Sequence, residues 1–136
     1  MAQARAGGLH DVSGLPGFVA LIEDRPVGFT TYAVAGTSAE LAVIDAGKVG
    51  LGMGTALLEA VAEAARTAGA AELWAVTSND NLDALRFYQR RGFRLRGLRA
   101  GAIDRARRDL KAQIPELGSF GIAIRDEIEL VRALEG

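Results

Sequence analysis

Residues 41–65 read "LAVIDAGKVGLGMGTALLEAVAEAA". A short β-branched run, glycines at positions 50, 52 and 54, and an apolar pattern of helical period follow one another without a gap. Met53, Leu57, Leu58, Val61, Ala64 and Ala65 recur at spacings of three and four, Glu59 and Glu63 fall on the other side, and Gly69 supplies a stop. The chain must therefore turn from a strand into an amphipathic helix through a glycine-rich loop. Unpaired N–H groups and the positive end of the helix dipole gather at that helix start, and they suit phosphate oxygens. The same glycines also serve a turn that merely needs close backbone packing.

Two phosphate loops are disfavoured by spacing. A dinucleotide fingerprint needs G-x-G-x-x-G and an acid ending the next strand, whereas here the third glycine comes one place early and Glu72 begins its strand. A triphosphate loop needs Gly-Lys followed by Ser or Thr, whereas Lys48 precedes the glycines and Thr55 follows Gly54.

On either side of the loop the pattern continues. Phe18–Ile22 and Val27–Val34 flank the polar turn Glu23-Asp24-Arg25-Pro26, a hairpin signal that leaves the proline outside the pairing. Glu40–Asp45 is a third antiparallel strand and Glu72–Ser78 a buried one after the helix, which makes a crossover unit with two parallel strands. "NDNLDALRFYQRRGF" reads as a polar turn and a second helix with Leu82, Leu85, Phe87 and Tyr88 as its large inward residues. "FRLRGLRAG" alternates as a strand, "DRARRDLKAQ" as a short helix that Asp104 would cap, and "IRDEIELVRAL" as a closing strand.

The 136 residues suit one domain, expected over 17–136 behind a flexible segment 1–16. No apolar stretch approaches the roughly 20 residues of a membrane span, no signal-like core opens the chain, and a cytoplasmic home is expected. Cysteine is absent and His10 is the single histidine, in a Gly-rich stretch, so thiol chemistry, a metal site and a Ser-His pair are not expected. A net charge of −1 argues against bulk nucleic-acid binding. The arginine-rich stretch Arg90–Arg108 is read as a solvated face balanced by acids elsewhere, with an anionic ligand or nucleic acid as rival readings.

The glycine loop, Val49–Gly54, and the later set Asn81, Ala84, Phe87, Tyr88, Gly92 and Phe93, one strand apart, together resemble the GNAT superfamily of N-acyltransferases. That family has Gln/Arg-Gly-x-Gly-x-Gly/Ala at the loop and Asn-x-x-Ala-x-x-Phe-Tyr, then Gly-Phe, on the next helix. The resemblance runs from about Phe18 to Leu134 and implies an α/β (α+β) fold: a mixed, mostly antiparallel sheet with helices on both faces. It implies acetyl-CoA as acyl-donor cosubstrate, no metal, and a primary amine as acceptor. The coenzyme would lie on Ile44 and Ala46 along the third strand, on Val49, Gly50, Leu51, Gly52, Met53, Gly54 and Thr55 at the loop, and against Asn81 and Phe87. Phe87 reads first as core packing and otherwise as a contact with the coenzyme arm.

The transfer needs a proton for the departing thiolate, and the resemblance gives that role to Tyr88, a phenol with an ordinary pKa near 10. Glu40 is the candidate base. Asp45 and water are its alternatives, and the two acids are expected on opposite pleat faces. Trp74 reads as core, with a place lining the acceptor cleft as its alternative. Val49 stands where the family has Gln or Arg, which leaves phosphate binding to the backbone. The chain also starts near the family's second strand, shortened at the N-terminus, and a homodimer is expected to cover the open sheet edge. A non-catalytic acyl-CoA-binding or regulatory module is the alternative function.

Overall fold

The computed structural model describes residues 15–46, 52–109 and 113–134. The chain divides into two compact units, residues 1–73 with 133–136, and residues 74–132. Among the described residues, six strands, mostly antiparallel in their pairing, and three α-helices give a mixed α/β fold, as the sequence implied.

In the first unit, β1 (Gly17–Ile22), β2 (Arg25–Ala35) and β3 (Ser38–Asp45) form an antiparallel meander, and α1 (Met53–Thr67) packs across all three. The meander forms because each strand is rich in β-formers and separated from the next by a two-residue turn. Glu23 and Asp24 both take positive φ, 50° and 65°, as a hairpin turn matched to strand twist requires. Leu57, Leu58, Val61, Ala62 and Ala65 are the buried stripe of α1, and Glu59 and Glu63 are exposed. Burying each leucine of that stripe contributes roughly 1.5–3 kcal/mol.

The hairpin corrects one expectation. Pro26 lies inside β2, opposite Leu21, where the register shifts next to Ala20. Its missing N–H breaks no second ladder, since the pairing of β2 with β3 runs from Phe29 to Ala35.

The second unit holds most of β4 (Glu72–Ser78), then α2 (Leu82–Arg90), β5 (Arg94–Arg99), α3 (Ala102–Asp109) and all but the last residue of β6 (Glu127–Ala133), with β5 and β6 antiparallel. Three readings change here. Tyr88 is the buried residue of α2, while Leu82 is 43% exposed. The α3 helix starts two residues before Asp104, its first N–H groups taken by the Arg125 carbonyl through Ile103 N at 3.0 Å. Asp104 instead sits in the first turn and accepts from Arg107 at 3.0 Å. Trp74 is half-buried rather than enclosed.

Candidate functional site

The start of α1 is built by Gly52. It caps the helix in the left-handed conformation, φ 78° and ψ 14°, a region that only glycine enters without strain. Its carbonyl accepts the first helical bond, from Ala56 N at 3.0 Å. Having no side chain, it makes no cap bond, and no acid lies in the first turn. A Cβ placed on Gly52 would meet nothing within 4 Å. No carboxylate of the first turn compensates the positive end of the dipole. Met53, Gly54 and Thr55 form that first turn and are half-buried. Val49, Gly50 and Leu51, like His10 and Lys48, lie outside the described residues.

On β3, Ile44 is half-buried opposite Thr30, and Ala46 follows the strand's last residue. A bulge leaves Ala42 without a partner, since Thr31 faces Val43 while Tyr32 faces Leu41. Thr30 Oγ1 donates to the Val43 carbonyl at 2.7 Å and secures the kink. The bulge overturns the expectation of opposite faces. Glu40 lies opposite Ala33 and Asp45 opposite Phe29, and residues 29 and 33 of β2 share a face, so the two acids share one as well. Glu40 is half-buried and Asp45 exposed. The sequence carried no signal for this bulge, because neither glycine nor proline marks it.

In the second unit, Asn81 is the N-cap of α2: its Oδ1 accepts from Ala84 N at 3.1 Å. The Asn-x-x-Ala spacing is therefore a helix cap in its own right, with the side-chain oxygen committed to the helix. Two turns on from Asn81, Tyr88 is 6% exposed. Its ring meets Phe87 edge-on at 5.5 Å and Phe93 at 5.0 Å. Burial pushes the Tyr88 phenol up to about 12. Phe87 is half-buried beneath the Arg91 guanidinium, 3.9 Å above its ring. Phe93, nearly enclosed at 3%, donates its N–H to the Tyr88 carbonyl at 3.0 Å.

The residues just before Asn81 do work that the sequence did not announce. Asn79 Oδ1 accepts from Arg125 N and Asp126 N at 2.9 and 3.0 Å, and Asn79 Nδ2 donates to the Ala123 carbonyl at 2.9 Å. Asp80, buried, accepts from Ser119 N at 2.8 Å. Burial alone would raise the Asp80 carboxyl, yet hydrogen bonds from the Ser78 side chain and the Ser119 backbone outweigh it and hold the group below the usual range. These bonds tie residues 118–126 to the end of β4. Their partners lie 39 to 47 positions away, beyond the reach of any local pattern.

The arginine-rich stretch is largely bonded within the chain. Arg96 and Arg99 reach Glu129 of β6 at 2.6 and 2.5 Å, and Arg107 donates to the carbonyls of Ile114, Pro115 and Ile124 at 2.7–3.0 Å as well as to Asp104. The reading of a solvated face balanced by acids elsewhere holds for Arg96 and Arg99, whereas Arg107, its side chain 15% exposed, is held by main-chain carbonyls and by Asp104 within the stretch.

Comparison with known proteins bears on the family and the fold. A family model, that of the acetyltransferase (GNAT) family, matches residues 3–93. The uncharacterised protein YdhI of Bacillus subtilis (strain 168) is 37% identical over 133 residues, covering 97% of this chain and 82% of its own. Among solved structures, an IAA acetyltransferase from Bacillus cereus ATCC 14579 superposes with a TM-score of 0.77 at 25% identity, covering 90% of this chain and 80% of its own. A Bacillus subtilis acetyltransferase in complex with CoA shares the fold with a TM-score of 0.78 at 21% identity, covering 92% and 80% respectively. The glycine-capped helix and the Asn-x-x-Ala-x-x-Phe-Tyr helix thus have their place in a known lineage: the chain belongs to the GNAT family of acetyltransferases.

Proposed function

We propose that this protein transfers an acetyl group from acetyl-CoA to a primary amine without a covalent enzyme intermediate. The observation that carries the reading is the left-handed Gly52 cap, which starts α1 with neither a capping side chain nor a first-turn carboxylate and so suits its N–H groups to an anion. The CoA of the Bacillus subtilis relative supports a pyrophosphate as that anion. Val49, Gly50, Leu51, Met53, Gly54 and Thr55 complete the proposed loop contact, with Ile44 and Ala46 along the coenzyme's arm and Asn81 and Phe87 as further contacts.

In the reaction the amine's lone pair attacks the thioester carbonyl carbon, the C–N bond forms, and the C–S bond then breaks. The amine's proton leaves to Glu40 or to water, the Tyr88 hydroxyl donates a hydrogen bond to the departing sulfur, and the proton that completes the thiol comes from solvent. A phenol at about 12 is fully protonated at neutral pH. Full transfer to a thiolate of ordinary pKa near 8.5 is uphill by roughly 5 kcal/mol, so Tyr88 serves best as a hydrogen-bond donor while charge develops on sulfur.

The burial of Tyr88 also favours a second reading, in which the ring is core and the protein binds acyl-CoA without turning it over. Thiol release from acetyl-CoA, measured with a panel of amines, separates the two. Amine-dependent release supports the transferase; saturable coenzyme binding with no release for any amine overturns it in favour of the binding module.

A further inference from the structure

β5 pairs with β6 on one side and ends the strand order on the other, and all six of its residues are exposed. Leu95 is 58% and Leu98 66% exposed, a costly arrangement for two leucines on a sheet edge. Leu95 lies opposite Leu130 and Leu98 opposite Ile128. Leu130 and Ile128 are two apart and share a face, and directly opposed residues share a face, so Leu95 and Leu98 lie side by side although three positions separate them. The bulge between Leu95 and Gly97, which sets two residues of β5 against Glu129 alone, makes this so. Arg94 and Arg99, opposite Val131 and Glu127, fall on the other face.

Charges ordinarily keep an edge from pairing. Here two of them are turned back on the chain's own β6. Arg96 Nε donates to Glu129 Oε2 at 2.6 Å, and Arg99 donates to Glu129 and Glu127 at 2.5 and 3.3 Å. Two cations and two carboxylates cancel. The strand itself, "RLRGLR", is symmetric in type about its centre: arginine, leucine, two intervening residues, leucine, arginine. A copy of that strand running the other way brings leucine against leucine, as a two-fold interface demands, and sets Arg94 against the partner's Arg99, whose charge Glu127 and Glu129 already offset.

We propose that β5 pairs antiparallel with β5 of a second copy, about a dyad between Arg96 and Gly97. That register sets Leu95 opposite the partner's Leu98 and Leu98 opposite the partner's Leu95, joining four leucines on one face, with the arginine–glutamate groups on the other. A slip of one residue in either direction would bring a leucine against the partner's Arg94 or the partner's Arg99, on the wrong face. The sheet would continue through the pair, and both exposed leucines would be covered.

Sedimentation velocity of the full chain across micromolar concentrations, beside the double variant Leu95→Arg/Leu98→Arg, tests the pairing. A dimer for the parent and half that mass for the variant supports it; a monomeric parent, or a variant that stays dimeric, overturns it. Should the double variant fail to fold, cysteines placed singly decide the question, since the chain has none of its own. Mild oxidation of Leu95→Cys mixed with Leu98→Cys gives a cross-linked pair at least several-fold faster than either variant alone. Equal rates in all three samples, or no cross-link in any, overturns the register.

Discussion

The Tyr88 and Phe93 rings meet at 5.0 Å with their planes inclined by 54°, and the amide of Phe93 donates to the carbonyl of Tyr88 at 3.0 Å. Helix α2 and the start of β5 are joined at that point by both main chain and side chain. The Tyr88 ring is therefore fixed whether or not its hydroxyl takes part in chemistry, and the hydroxyl can be removed without disturbing the ring.

Tyr88→Phe should leave coenzyme affinity within a few-fold. Turnover with the best amine should fall by about 10²–10⁴, some 3–5 kcal/mol of barrier, if the hydroxyl serves the departing thiolate. Parallel measurement of binding by calorimetry and of thiol release by absorbance tests this. Turnover within a few-fold of the parent, at equal thermal stability, would strike Tyr88 from the mechanism.

The same residue predicts a pH effect on stability. Tyr88 titrates near 10 when unfolded and near 12 when folded, so above pH 10 the unfolded chain loses its proton first and the native state is disfavoured. The stabilisation is whole below pH 10 and is lost as the pH rises through 12, up to about 2–3 kcal/mol. Urea titrations between pH 8 and 12 should show the parent weakening more steeply than Tyr88→Phe. Tyr32, also raised by burial, contributes equally to both proteins.

What could be read from the sequence is what local spacing controls. The α1 stripe and β4 follow from periods of 3.6 and 2, and Gly52 and Asn81 sit where a cap needs their particular chemistry. The bulge at Ala42 was hidden because Thr30 Oγ1, on the neighbouring strand, secures it. The shared face of Glu40 and Asp45 was hidden with it. Leu82 was misplaced because its position next to the cap turns it outward, a matter of helix phase within a single turn. The segment 113–126 was opaque for a different reason: Asn79, Asp80 and Arg107 organise it through main-chain groups, and any sequence offers those equally.

Gly52→Val sets conformation against binding. A branched residue at φ 78° costs roughly 1–2 kcal/mol of stability, and nothing nearby collides with it in the free chain. If the helix start receives the pyrophosphate, coenzyme affinity should fall by far more than that strain accounts for, about 100-fold or greater by calorimetry. A loss of stability with unchanged affinity would show that the left-handed cap is only a turn.

At Asn81 two variants divide the helix cap from ligand contact. Asn81→Ala removes the acceptor for Ala84 N and should cost about 1 kcal/mol. Asn81→Asp keeps an acceptor at the cap and favours the helix dipole, so stability should match or exceed the parent's. It lacks the amide donors, however, and brings a negative charge. A coenzyme affinity that drops tenfold or more in Asn81→Asp, at full stability, marks Asn81 as a ligand contact; an unchanged affinity confines it to capping.

The tie between Asp80 and residues 118–126 rests on close approach at Gly118. A Cβ there would overlap the Asp80 carboxylate and come within 2.5 Å of Ile124 Cγ1. Gly118→Ala must therefore push the segment away from Asp80 and weaken the bond that the carboxylate accepts from Ser119 N at 2.8 Å. Overpacking of this sort costs about 1–3 kcal/mol. The carboxyl's lowered pKa adds a signature. Stability from Asp80 is present above its unfolded pKa and is lost as the pH falls through the folded one, so acid unfolding of the parent draws on it. Gly118→Ala, having weakened the bonds that favour the carboxylate, should lose less on going from pH 6 to pH 3 than the parent does, although it starts from a lower value. Urea titrations at the two pH values provide the check: parallel losses in both proteins would mean that the Ser119 bond does not hold Asp80 ionised.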